Sequence, residues 1–116
     1  MIQITRIYSD ADGESYFEDF EVPLKDNGDI GFLSEEEIAK AVVFREVAPS
    51  CDYDFHTAPG RQYIVLLDGG VEIETSSGKK RSFPTGSILL MEDTTGKGHR
   101  TKNLKQEIRK SIFIKL

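Results

Sequence analysis

Two histidines, His56 and His99, are the only imidazoles in the chain, and they carry most of its chemical potential. An imidazole takes up and releases a proton near neutral pH and binds divalent metals through either ring nitrogen. Between the two lie Gln62, Glu92 and Asp93, an amide and two carboxylates. Arg61 and Lys97 add positive charge, and Asp52 and Asp54 add acids just ahead of His56. Lys97, Arg61 and Asp93 are therefore the candidate catalytic helpers. A desolvated lysine forms Schiff bases or binds anions, but Lys97 lies between Gly96 and Gly98, the setting of a solvated rim residue. The segment Thr94-Thr95-Gly96-Lys97-Gly98 lacks the G-x4-G-K-[ST] spacing of a phosphate-cradling loop, and nucleotide binding is discounted. Cys51 stands beside Asp52, where the acids disfavour a thiolate nucleophile.

Side chains 43 positions apart work together only if the backbone returns on itself. The pattern predicts that it does, through short strands. Ile2–Tyr8 and Tyr16–Val22 alternate apolar and polar residues, and Pro23 ends the second. Asp26-Asn27-Gly28-Asp29 is turn chemistry. Ser34-Glu35-Glu36-Glu37 fits a capping box, which predicts a short helical turn near residues 34–39 before a strand over Ala41–Val47. Arg61–Leu67 and Val71–Thr75 form a hairpin about Asp68-Gly69-Gly70. Strands ending at Phe83, over Ser87–Met91, over Lys97–Thr101 and over Ile108–Leu116 complete the chain. Short strands at regular spacing with glycine at the turns imply an all-β antiparallel sandwich or barrel. Along a strand, a Gln62 that points inward takes Ile64 and Leu66 with it. An inward His99 likewise shares its face with Lys97 and Thr101 and leaves Arg100 outside.

At 116 residues the chain is the length of a single domain, taken as 1–116. A 38% hydrophobic and 30% charged composition is that of a globular protein. No apolar run approaches the roughly 20 residues needed to cross a bilayer, so no membrane partner is expected. With no basic-then-apolar leader at Met1 and a single cysteine, the expected location is cytoplasmic. A net charge of −5 argues against nucleic acid as a partner. Residues 1–60 hold 14 acids and 4 bases, whereas residues 96–116 hold 7 bases and one acid. Such a contrast fits a basic anion-binding edge, or, more commonly, solvated strand faces that pair with acids elsewhere in the fold.

The spacing around the histidines resembles that of the cupin family of small β-barrels. The first cupin motif reads G-x5-H-x-H-x3-4-E-x6-G, and here Ser50, His56, Ala58, Gln62 and Gly69 occupy its positions. The second reads G-x5-P-x-G-x2-H-x3-N, matched by Gly86, Gly96, His99 and Asn103, with Glu92-Asp93-Thr94-Thr95-Gly96 two residues longer than the Pro-x-Gly turn. The similarity spans a core of residues 41–104.

The resemblance implies a jelly-roll barrel of the double-stranded β-helix type. It also implies a divalent metal (Fe, Mn, Zn or Ni) on His56, Gln62 and His99. Ala58 removes one imidazole of the family's ligand set and Gln62 replaces the carboxylate, leaving three neutral donors. Asp93, Asp52 or Asp54 is placed to substitute as the missing acid. The function implied is action on a small polar substrate of dioxygenase or isomerase type. The alternative is a metal-free cupin that binds or senses a small molecule. A homodimer is expected, through edges offered by Ile2–Tyr8 and the strand around Phe113.

Overall fold

Alternation builds the strands, and glycine at positive φ lies in the turns after half of them. The computed structural model describes residues 1–116. In order they form β1 (Ile2–Ser9), β2 (Ser15–Val22), β3 (Lys25–Asp26), β4 (Phe32–Leu33), β5 (Ala41–Val47), β6 (Asp52–His56), β7 (Gln62–Leu66), β8 (Val71–Thr75), β9 (Lys80–Phe83), β10 (Ile88–Glu92), β11 (His99–Asn103) and β12 (Arg109–Lys115). A six-stranded sheet runs β2-β1-β10-β7-β12-β5, and a four-stranded sheet runs β6-β11-β8-β9. β3 and β4 make a separate two-stranded ribbon. No helix is long and apolar enough to cross a membrane.

The inward residues of both sheets make one core: Ile7, Leu66, Leu89 and Met91 from the large sheet meet Val71, Ile73 and Phe83 from the small one. Gln62 and Leu66 are buried on the core face of β7 and Ile64 packs against the core, as alternation from Gln62 requires. The Asp68-Gly69-Gly70 turn forms between β7 and β8, but the expected hairpin does not: β7 pairs with β10 and β12 in the large sheet and β8 with β11 and β9 in the small one, so the turn carries the chain from one sheet to the other. There a Cβ on Gly70 would come within 2.8 Å of the Phe83 carbonyl oxygen, so the turn also sets how closely β9 approaches.

Besides the missing β7–β8 hairpin, four features differ from expectation. β1 and β10 pair in parallel, Thr5 opposite Leu89, in an otherwise antiparallel fold. Residues 34–39 form no helix: Ser34 Oγ donates to the Glu35 carbonyl 2.9 Å away instead of capping a turn. Three consecutive glutamates and the short run before β5 leave too little to offset helix nucleation. The chain's one helical turn is a 3-10 turn at Gly28–Ile30, where Gly28 N–H donates to Asp26 Oδ1 at 2.9 Å. Finally, β1 and β12 are interior strands, and the edges of the large sheet are β2 and β5.

Candidate functional site

β6 ends at His56 and β11 begins at His99, and the two residues are direct partners in the antiparallel pairing. Their ring centroids lie 4.5 Å apart. Gly98 makes this approach possible. At φ 71° it lies so close to β6 that a Cβ would fall 2.0 Å from the His56 carbonyl oxygen. The same positive φ breaks the alternation entering β11. Lys97 accordingly leaves the face of His99: it is exposed and paired with Glu14. Thr101 stays with His99, and Arg100 points out to Asp52 at 3.1 Å.

Each imidazole has one nitrogen engaged, His56 locally at the exposed end of β6 and His99 in the buried interior. His56 Nδ1 lies 2.8 Å from the Asp54 carbonyl oxygen. A carbonyl only accepts, so Nδ1 carries the hydrogen and Nε2 keeps its lone pair. His99 Nδ1 bonds to the Asp93 carboxylate, and both side chains are buried. The other Asp93 oxygen, Oδ1, is buried with no hydrogen-bond partner, so His99 alone meets this carboxylate. Burial, followed by the positive fields of His99 and Arg45, pulls the His56 pKa below the ordinary value against the favourable Asp54 hydrogen bond.

His56, Gln62 and His99 line one cavity of about 350 Å³ between the sheets. Its apolar wall includes Ile64, Met91 and Phe113, and the Tyr53 ring packs tilted at 42° against His56 with centroids 3.7 Å apart. Ala58, buried at the second motif histidine's place, also lines it. Asp93 lies behind His99 as a positioning residue rather than on the cavity wall. Arg61 is outside, paired with Glu92, which also pairs with Arg6. Asp52 and Asp54 line an adjoining concavity with Cys51, Tyr53 and Arg45.

Arg45 is the residue that motif spacing passes over. It lies on β5 and lines both concavities. Its signal was present in the strand pattern, since Val43, Arg45 and Val47 share one face of Ala41–Val47. A lone arginine among inward valines is out of place unless the face borders a cavity.

A sandwich of six- and four-stranded sheets whose two histidines meet inside it can be compared with known folds. The Schizosaccharomyces pombe Cnp3 cupin domain superposes with a TM-score of 0.54 at 13% identity, over 98% of this chain and 86% of that one. The chain has a cupin fold. An RmlC-like cupin protein from Desulfovibrio desulfuricans aligns at a TM-score of 0.48 and 12% identity, covering 98% of this chain and 82% of its own. A conserved protein of unknown function from Streptococcus pyogenes, SPY1581, gives 0.48 and 15% over 72% of this chain and 70% of its own. No protein-family model and no curated protein sequence matches the chain. The similarity is one of fold, and one fold hosts many chemistries.

Proposed function

We propose that this protein is a small-molecule cupin whose cavity works through His56, Gln62 and His99, residues that would hold a divalent ion of iron, manganese, zinc or nickel. The observation that carries the reading is the locking of both Nδ1 atoms, by the Asp54 carbonyl and by Asp93. Metal-bound imidazoles use such a partner to fix tautomer and orientation. The donor set fits a borderline metal, because imidazole nitrogen suits zinc, iron and nickel alike. All three donors are neutral, so binding is weaker than at a site with a carboxylate. When bound, such an ion polarises an oxygen of the substrate as a Lewis acid.

The chain's own groups do the rest. Asp93 holds the His99 ring, Ile64, Met91 and Phe113 keep water from one wall, and the His56 lone pair stays available at neutral pH because burial disfavours its protonation. The reaction class this supports is action on a small polar molecule, of isomerase or dioxygenase type. The deciding measurement is elemental analysis of untagged protein purified without chelator, beside the His56→Ala/His99→Ala double variant. Near one equivalent in the parent and none in the variant is expected. No retained ion after soaking in each candidate metal refutes the metal-dependent reading.

A second reading, ion-free ligand binding, is favoured by one specific observation. Arg45 is a cation on the same cavity wall, and no acid lines that cavity. A divalent cation there is repelled and a negative ligand attracted. This reading expects ligand binding that survives EDTA.

Cytoplasmic location belongs to the proposal, supported by the free thiol of Cys51. So does a homodimer, now through β5, the outer strand of the large sheet, where Val42 and Phe44 are exposed. Light scattering on the Phe44→Asp variant checks it: the parent is expected at twice the chain mass and the variant at once, and a monomeric parent refutes it.

A further inference from the structure

Of the six arginines, five have a polar side-chain partner: Arg6 and Arg61 on Glu92, Arg81 on Asp19, Arg100 on Asp52, and Arg109 on Asn103. Arg45 has none among the chain's ion pairs and side-chain hydrogen bonds. It is nevertheless half-buried, on the inward face of β5, with its guanidinium carbon 5.0 Å from the centre of the Phe113 ring. The stacking orients the planar group and leaves its N–H donors free. Burial depresses the Arg45 pKa, and the nearby Arg109, itself depressed by burial, feels its positive field. A guanidinium taken partly out of water with no counter-charge is costly. The cavity it faces is the place for that missing charge.

We propose that Arg45 makes the cavity a receptor for a small organic carboxylate, gripped by the guanidinium while its body lies against the Ile64, Met91 and Phe113 wall and its polar end faces His56, Gln62 and His99. The proposal rests on the small-molecule reading of the cavity and adds the class of ligand. A carboxylate matches the paired donors of one guanidinium. A dianionic phosphate is disfavoured, because Asp52 and Asp54 line the concavity that adjoins through Arg45 and Tyr53. The volume of about 350 Å³ suits a molecule the size of a substituted aromatic or a short-chain acid.

Benzoate and benzamide share shape and differ in charge, so calorimetric titration of both isolates the guanidinium. Benzoate is expected to bind saturably, at least about tenfold tighter than benzamide. Arg45→Gln abolishes the difference by weakening benzoate. Because that variant also removes the stacking on Phe113, Arg45→Lys is measured beside it: it keeps the charge without the planar fork, and an intermediate preference for benzoate is expected. The proposal is overturned if benzoate and benzamide bind alike, if neither binds at about 10 mM, or if folded Arg45→Gln binds benzoate as the parent does. Phenylphosphate binding tighter than benzoate overturns the carboxylate assignment. The same titration in EDTA on His56→Ala/His99→Ala separates this inference from the metal. A benzoate preference that persists there sustains Arg45 whatever the metal analysis gives, and one lost there and kept in Arg45→Gln ends the Arg45 assignment.

Discussion

His99 and His56 face each other across one pair of strands, yet they belong to unlike parts of the barrel. His99 opens β11, an interior strand of the small sheet, with its ring on buried Asp93 and the fully buried Met91 two residues before that acid. His56 closes β6, the edge strand of that sheet, whose other residues are exposed, and it leans on a backbone carbonyl and the Tyr53 ring. β5 is as open as β6, with Arg45 and Val47 its most covered residues. The barrel is thus tightly packed behind His99 and loose around His56 and Arg45. A site built across that gradient pairs one rigid, buried imidazole with one accessible imidazole. The contrast teaches why the two histidines are not interchangeable, although their spacing in the motifs treats them alike.

The junction between the two regions is the most sensitive point. Gly98→Ala forces a Cβ onto the His56 carbonyl and is expected to cost on the order of 3 kcal/mol in urea unfolding. Gly78→Ala is the control: it has a comparable positive φ and open space around it, and costs about 1 kcal/mol for backbone strain alone. Equal losses in the two variants would show that strand contact at Gly98 does not hold the site together.

The histidines themselves come next. His99→Ala leaves Asp93 buried without its only partner and is expected to cost about 3 kcal/mol. His56→Ala, at the open edge, costs about 1 kcal/mol. Chemical denaturation of both variants tests the asymmetry directly, and similar losses would erase it.

The smallest expected effect is on pH dependence. The folded pKa of His56 lies below its ordinary 6.5, so between the two values the unfolded chain binds more protons than the folded one. The contribution of His56 is therefore complete above about pH 6.5 and is lost as pH falls from there through the folded value. His56→Gln is expected to flatten the fall in melting temperature over that window. An unchanged profile would show that His56 is as well hydrated as in the unfolded chain.

Much of the architecture was legible because strand structure is local. Ala41–Val47 and Val71–Thr75 have the bounds that alternation and flanking turns predict, and most other strands shift by a residue or two. β6 has no apolar stripe in the sequence, because Asp52-Tyr53-Asp54-Phe55-His56 carries acids on one face and lies at an edge, where none is required. The helical turn expected at 34–39 rested on a capping pattern with nothing after it to propagate. Alternation alone puts Lys97 on the face of His99, but the positive φ of Gly98 between them resets the face.

For the site, the resemblance to the cupin motifs implied His56, Gln62 and His99, and the sequence pattern by itself determined only the strands near Gln62 and His99. It could do this because side-chain direction in a strand repeats every two residues and glycine marks the turns. Only the tertiary structure decided that Asp93 turns to His99, that Glu92 is taken up by Arg6 and Arg61, and that Arg45 is left without a partner beside the imidazoles. Those outcomes depend on which charges meet across strands distant in sequence and on how much water each retains. Neither quantity is written in the period of any one strand.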